Sequence, residues 1–210
     1  MRPIQKPQSA LWAPLNSVFG TEANVRIMRA IALSPMPLTS GEIARTAGLQ
    51  PSGVRRALDR LVDTGVVVRV GFGKRRLVQL ARKHPLASPI REIFAAEKER
   101  AENLFAAIQQ QAATLSPPPH SVWVYGNLAR SADELGDSVK VALVADASHL
   151  YCLARALRTG LAPVESALDV TFEIRILTVA DLVLIADDPD EDLLVAIPLF
   201  GPEPKGLLRH

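Results

Sequence analysis

From Thr21-Glu22 the apolar residues Val25, Ile27, Met28, Ile31 and Leu33 follow at mostly helical spacing, and Ser34-Pro35 closes the run, which predicts a first helix. Thr39 then stands three residues before Glu42, the spacing of a capping box. A short second helix runs through Ile43 and Ala44, and Gly48 supplies the turn that follows it. A third helix starts near Pro51, since proline is tolerated in a first helical turn, and extends to Asp63, with Gly65 as its stop. Within it, Val54, Ala57, Leu58 and Leu61 form one apolar stripe. Ser52, Arg56, Asp59 and Asp63 lie opposite, flanked by Arg55 and Arg60. The pattern then changes period. Val66 to Val70 is β-branched and reads as a strand, Gly71-Phe72-Gly73-Lys74 as a glycine-rich turn, and Arg75 to Leu80 as a second strand.

After the break at Pro85 to Pro89, a proline-free run from Ile90 to Leu115 carries Ile90, Ile93, Phe94, Ala101, Leu104, Phe105 and Ile108 at three- and four-residue steps. It predicts one long amphipathic helix, interrupted by the charged block Glu97-Lys98-Glu99-Arg100. Such a helix either packs onto its own neighbours or pairs with a second copy. Ser116-Pro117-Pro118-Pro119-His120 reads as a stiff linker and a domain boundary. Beyond it, "VWVYG", "VKVALVAD" and "VTFEIRIL" read as strands, and "NLARSADEL" as a short helix or turn. "HLYCLARALRTG" reads as a helix ended by Gly160, and "VADLVLIA" and "EDLLVAI" as further helices. The expected class is α+β. Residues 1–85 form a helix-turn-helix domain with a hairpin, 86–119 a linker helix suited to dimerisation, and 120–210 an α/β domain.

Charge sharpens this division. Residues 1–85 hold 14 Lys/Arg against 4 Asp/Glu, whereas residues 86–210 hold 10 against 18, so a net charge of +2 conceals a basic first half and an acidic second half. A polyanion-binding surface is therefore expected on the first half alone. In a helix-turn-helix the third helix offers its polar face to the major groove. Arg55, Arg56 and Arg60 suit bidentate contacts to guanine or phosphate, and Gln50 and Ser52 sit at the leading end of the helix. Lys74, Arg75 and Arg76 at the hairpin tip suit a minor groove or the flanking backbone. The same arginines would also serve an ordinary solvated helix face. The expected partner is double-stranded DNA, bound by a homodimer at paired half-sites.

Other classes are disfavoured. No stretch approaches the ~18 uninterrupted apolar residues of a membrane span, and Pro3, Pro7, Pro14 and Asn16 interrupt any signal-like core. One cysteine, Cys152, excludes an internal disulfide and reads as a small buried hydrophobe in a helix. His84, His120, His149 and His210 lack metal-ligand spacing, so neither a metal nor a cofactor is expected. A cytoplasmic setting follows.

The stretch "LTSGEIARTAGLQPSGVRRALDRLVDTGVVVRVGFGKRRLVQL" within residues 20–82 resembles the winged helix-turn-helix of prokaryotic transcription regulators of the ArsR and MarR type. That resemblance implies a recognition helix, a wing and a regulatory role. A second resemblance lies in "YGNLARSADELGDSVKVALV", which is similar to the signature of polymerase-β-like nucleotidyltransferases. That family carries Gly-Ser after a strand, then Ala-Arg-Gly, then Asp-x-Asp about ten residues after the Gly-Ser. Gly126, Ala129 and Arg130 match; Asn127 replaces the serine and Ser131 the next glycine. Ser138 and Lys140 occupy the two aspartate positions, and Glu173 is the candidate third acid. Asp137 is out of register by one residue, which on a strand points it to the opposite face. The tail "LLVAIPLFG" resembles that family's closing helix and final "pLyG".

Paired aspartates hold the magnesium ions that bridge the phosphates. A serine and a lysine in their places oppose that chemistry. The resemblance thus implies a catalytically degenerate domain, serving as scaffold or as sensor of a small ligand or protein partner. The alternatives are an active nucleotidyltransferase and an antitoxin-like interaction module.

Overall fold

The computed structural model describes residues 21–71, 76–185, 193 and 195–208. Its Cα positions separate into two compact units, and among these residues the division falls between Glu99 and Arg100.

The first unit opens with α1 (Glu22–Ala32), β1 (Leu38–Thr39), α2 (Ser40–Ala47) and α3 (Pro51–Asp63), followed by β2 (Val67–Val70) and β3 (Leu77–Leu80). The three helices sit within a residue or two of their expected bounds. Thr39 Oγ1 accepts from the Glu42 amide at 3.2 Å, and the Glu42 carboxylate accepts from the Thr39 amide at 2.7 Å, closing the capping box. Val25, Ile27, Ile31, Ile43, Val54 and Leu58 bury their side chains together with Val67, Val78 and Leu80 of the hairpin. β2 and β3 pair antiparallel from Val67–Leu80 to Val70–Leu77. The two-residue strand β1 was not legible in the sequence. It pairs with the outer side of β3, giving the order β1-β3-β2. Ala87 and Phe94, at the start of the next helix, complete this core.

That helix, α4, spans Ala87–Thr114. It begins three residues before the expected Ile90 and takes in Pro89, which the first turn accommodates because its amide needs no helical partner. Its later apolar positions Leu104, Ile108 and Ala112 are fully buried in the second unit. Of the apolar stripe, Phe94 is buried in the first core and Leu104 and Ile108 in the second, while Ile93 stays exposed. The compact units divide within this helix rather than at the proline-rich segment 116–120, which lies inside the second unit.

The second unit is a four-stranded mixed sheet built from β4 (Ser121–Tyr125), β5 (Val139–Val144), β6 (Phe172–Leu177) and β7 (Ile197–Phe200), in the order β6-β5-β4-β7. β4 runs antiparallel to β5 and β7, and β5 runs parallel to β6. The connection between the parallel pair is α5 (Leu150–Leu168). One sheet face, with Val122, Val124, Val141 and Leu143, packs on α4 and α5 through Leu104, Ile108, Leu153, Leu157 and Leu161. The other face, with Trp123, Tyr125, Ala142 and Val144, packs on α6 (Val179–Ile185) and Leu193, with partly buried help from α7 (Pro204–Leu207). Coverage of both faces explains why β4 and β5 read as near-continuous apolar runs rather than as alternating strands.

Three expectations fail here. Gly160 does not end α5, which continues through Pro163 to Leu168. A Cβ at position 160 would lie 2.1 Å from Oε1 of the Gln111 side chain on α4, so a larger residue there has to displace that side chain. Of the helix expected over residues 191–197, Leu193 lies in a 3₁₀ turn and Ile197 already belongs to β7; residues 191, 192 and 194 lie outside the described part. Pairing with β4 outweighs the helical spacing of these apolar residues. Cys152 is exposed, because the buried stripe of α5 is Leu150, Leu153, Leu157 and Leu161 and position 152 falls on the far side.

Candidate functional site

In the first unit the solvent face of α3 is built by what its other face buries. Val54, Ala57 and Leu58 are at most 4% exposed, which fixes the rotation of the helix about its axis. That rotation leaves Ser52, Arg55, Arg56, Asp59 and Arg60 exposed. Arg55, Arg56 and Arg60 make no ion pair or side-chain hydrogen bond among the described residues, so their guanidinium forks are available to an external anion. Gln50 is the N-cap of α3, exposed, and makes no side-chain cap bond, which frees its amide as well. With Thr21, the N-cap of α1, and Asn24 within it, residues Gln50, Gly53, Arg56 and Arg60 line an open groove of about 560 Å³ along one flank of α3.

The opposite flank of α3 is tied to the hairpin: Arg69 of β2 pairs with Asp59. This pair is missed when α3 is read as an isolated helix, because it appears only when the strand folds back beside it. It neutralises one of the two acids on the polar face. The arginine face therefore has more positive character than the sequence of α3 alone implies. Arg76 is exposed just before β3. Lys74 and Arg75, the other two basic residues expected at the tip, lie outside the described residues.

In the second unit the glycine-led turn and the strand ends converge. Gly126 directly follows β4 and has φ +77°, a backbone setting that favours glycine. The next residues form turns, with the Arg130 amide donating to the Gly126 carbonyl at 3.2 Å, rather than a helix. Asn127 and Arg130 are exposed. Ser138 precedes β5, and its hydroxyl donates to Glu173 of β6 at 3.2 Å. Lys140 stands in register with Tyr125 on one side and Glu173 on the other, so it shares a sheet face with the glutamate. The strand order thus brings Gly126, Ser138, Lys140 and Glu173 to one end of the sheet.

Asp137 departs from expectation. It lies ahead of β5, not on it, and its carboxylate accepts from Asn127 Nδ2 at 3.2 Å and from the Glu134 amide at 3.1 Å. Those two bonds, the amide's first, hold its carboxyl below the usual range, with Lys140 adding a smaller electrostatic push. An acid therefore does sit beside this turn, one residue earlier than the signature position, bound to the side chain that replaces the signature serine. No group of three or more His, Cys, Asp or Glu able to hold a metal ion occurs among the described residues. Likewise, no helix among them is long and apolar enough to cross a membrane.

No curated protein matches the chain. Residues 21–76, which take in the three helices and β2 but stop short of β3, match the model of the MarR family, which supports a winged-helix, DNA-binding transcription regulator for the first unit.

Proposed function

We propose that this protein is a sequence-reading transcription regulator that enters the major groove with α3. Arg55, Arg56 and Arg60 contact base edges or phosphates, Gln50 and Ser52 lie at the leading end, and the wing residues Lys74, Arg75 and Arg76 rest on the minor groove or adjacent backbone. The observation that carries this reading is the set of three exposed arginines on one helix face with no partner among the described residues. The basic balance of residues 1–85 supports it. A homodimer on paired half-sites is the natural arrangement for such a helix.

The test is a gel-shift titration on a duplex selected from a random pool. The double variant Arg55→Ala/Arg56→Ala should lose roughly 1–3 kcal/mol for each bidentate contact removed, and wild-type affinity should fall steeply with salt. Equal affinity of variant and wild type overturns the assignment of these residues.

For the second unit we propose a degenerate nucleotidyltransferase-like domain, kept as a scaffold or as a sensor of a ligand or protein. Gly126, Asn127, Arg130, Ser138, Lys140 and Glu173 mark the former nucleotide site. The convergence of the glycine turn with Ser138 and Glu173 favours this reading. Lys140, at the position of the second aspartate, opposes metal-dependent transfer. Magnesium-dependent incorporation of labelled nucleotide that is lost in Glu173→Gln would overturn the degenerate reading and favour an active transferase.

A further inference from the structure

The sheet of the second unit has two outer strands, and they differ. β7 carries Pro198, and its pairing with β4 shifts register between Val122 and Trp123. Both features discourage a further strand. β6 has neither proline nor lysine and pairs with β5 in unbroken register from Phe172 to Leu177. Nothing among the described residues pairs with its other side. Whereas β4 is buried throughout, Glu173 is exposed and Ile174, Arg175 and Ile176 are half-buried.

The direction of the free backbone groups follows from the pairing. The Val139 amide donates to the Thr171 carbonyl and the Ala145 amide to the Leu177 carbonyl, so odd-numbered residues of β6 turn toward β5. Phe172, Ile174 and Ile176 turn theirs outward. One of these outward amides, that of Phe172, donates to Glu165 at 2.8 Å.

We propose that β6 is a self-pairing edge. Two copies of the chain join antiparallel through it, with Ile174 opposite its counterpart on a two-fold axis, fusing two four-stranded sheets into one. Charge selects this register. Centred on Ile174, Glu173 of each copy faces Arg175 of the other, and Phe172 faces Ile176. Centred on residue 173 or 175, the strand sets glutamate against glutamate or arginine against arginine. Centred on residue 176 each charge faces an uncharged residue, and centred on residue 172 Glu173 faces Thr171 while Arg175 falls opposite Asp169, which lies outside the strand in a left-handed turn. Opposite charges across strands stabilise and like charges destabilise, and the two-fold axis counts every pair twice. In the Ile174 register the Phe172 amide exchanges its Glu165 acceptor for the Ile176 carbonyl of the second copy. The interface uses only the second unit and stands whether or not the first unit reads DNA.

The experiment is sedimentation equilibrium of the full chain. Wild type should associate to twice 22.7 kDa. Glu173→Lys and Arg175→Glu should each weaken association by about tenfold or more, since each turns two attractive pairs repulsive. The double charge swap should restore it to within about threefold of wild type. A monomeric wild type, or a dimer indifferent to both single reversals, overturns the proposal, as does a charge swap that fails to rescue. Should a reversal variant lose its folded circular dichroism, Ile174→Cys in a Cys152→Ser background gives an independent reading. A hydrogen-bonded antiparallel pair holds its Cα atoms ~5.5 Å apart, within disulfide reach. Mild oxidation should then give a covalent dimer, and its absence from a dimeric sample overturns the register.

Discussion

Removing Glu97 should destabilise the first unit strongly, because its carboxylate is buried against an arginine. Its side chain is 2% exposed and that of Arg29 is 14% exposed. The two meet through a fork: Arg29 Nη2 donates to Oε1 at 2.9 Å, and Nε donates to Oε2. The guanidinium also lies over the Phe94 ring, 5.5 Å from its centroid. The pair thus pins the early part of α4 to α1 inside the core that shapes the reading head. Replacing Glu97 by alanine removes both charge-assisted bonds and leaves an arginine with little access to water. Breaking such a pair from one side costs about 3–5 kcal/mol when burial is complete. Arg29 keeps some solvent contact, so we expect about 3 kcal/mol, near the low end of that range.

Glu97→Gln keeps the shape and an acceptor and should cost roughly 1–2 kcal/mol. The double variant Arg29→Met/Glu97→Met should recover most of the loss, because no charge is left without its partner. Unfolding of a two-unit chain is not one all-or-none step. Hydrogen exchange of peptides within residues 22–63 therefore reads the first unit by itself. A Glu97→Ala variant within about 0.5 kcal/mol of wild type, or a double variant as damaged as the single one, would refute the claim that the pair is buried and coupled.

Two further outcomes follow from the second unit. Gly201 has φ +68°, and a Cβ there would lie 2.1 Å from the His120 carbonyl oxygen, so Gly201→Ala should cost at least about 2 kcal/mol. Its urea midpoint, followed by fluorescence of Trp123, whose indole donates to Pro202 at 2.7 Å, checks this. At the start of α6 the Asp181 carboxylate accepts from the amide and hydroxyl of Thr178, and these bonds, the amide's first, hold its carboxyl below the usual range. A depressed folded-state value makes the contribution fully present above about pH 4, the unfolded carboxyl's range, and lost as pH falls through the lowered value. Thermal melts of Asp181→Asn should therefore lie below wild type at pH 7 and converge with it toward pH 2; a gap that persists at low pH contradicts this.

The winged helix was legible because each of its elements carries its own punctuation. Thr39 and Glu42 announce α2, Pro51 opens α3, and the Val54-Ala57-Leu58 stripe sets its buried side without reference to anything distant. What stayed hidden depends on partners far along the chain. β1 has only two residues and exists because β3 offers it an edge. Gly160 looks like a helix stop until Gln111 is found against it. The 191–197 segment keeps helical spacing, yet Ile197 lies beside β4 because tertiary pairing outweighs local preference.

The same distinction separates the two candidate sites. On α3 the exposed face is the complement of a local apolar stripe, so the exposure of Arg55, Arg56 and Arg60 could be read from periodicity, and only the Asp59–Arg69 pair needed the hairpin. The candidate site of the second unit gathers Lys140 and Glu173 from two strands and Gly126, Asn127, Arg130 and Ser138 from the turns that flank them. Counting along the chain located Ser138 and Lys140 but misplaced Asp137, because the period-two rule holds only within a strand and β5 begins at Val139. Asp137 instead turns back onto Asn127. An acid bonded to an amide lies close to a hydroxyl bonded to a glutamate, with a lysine adjoining them. These bonds tie the turn to the strand ends. A cation site needs free acceptors and no adjoining lysine, which is the ground on which a degenerate rather than an active site is proposed for the second unit.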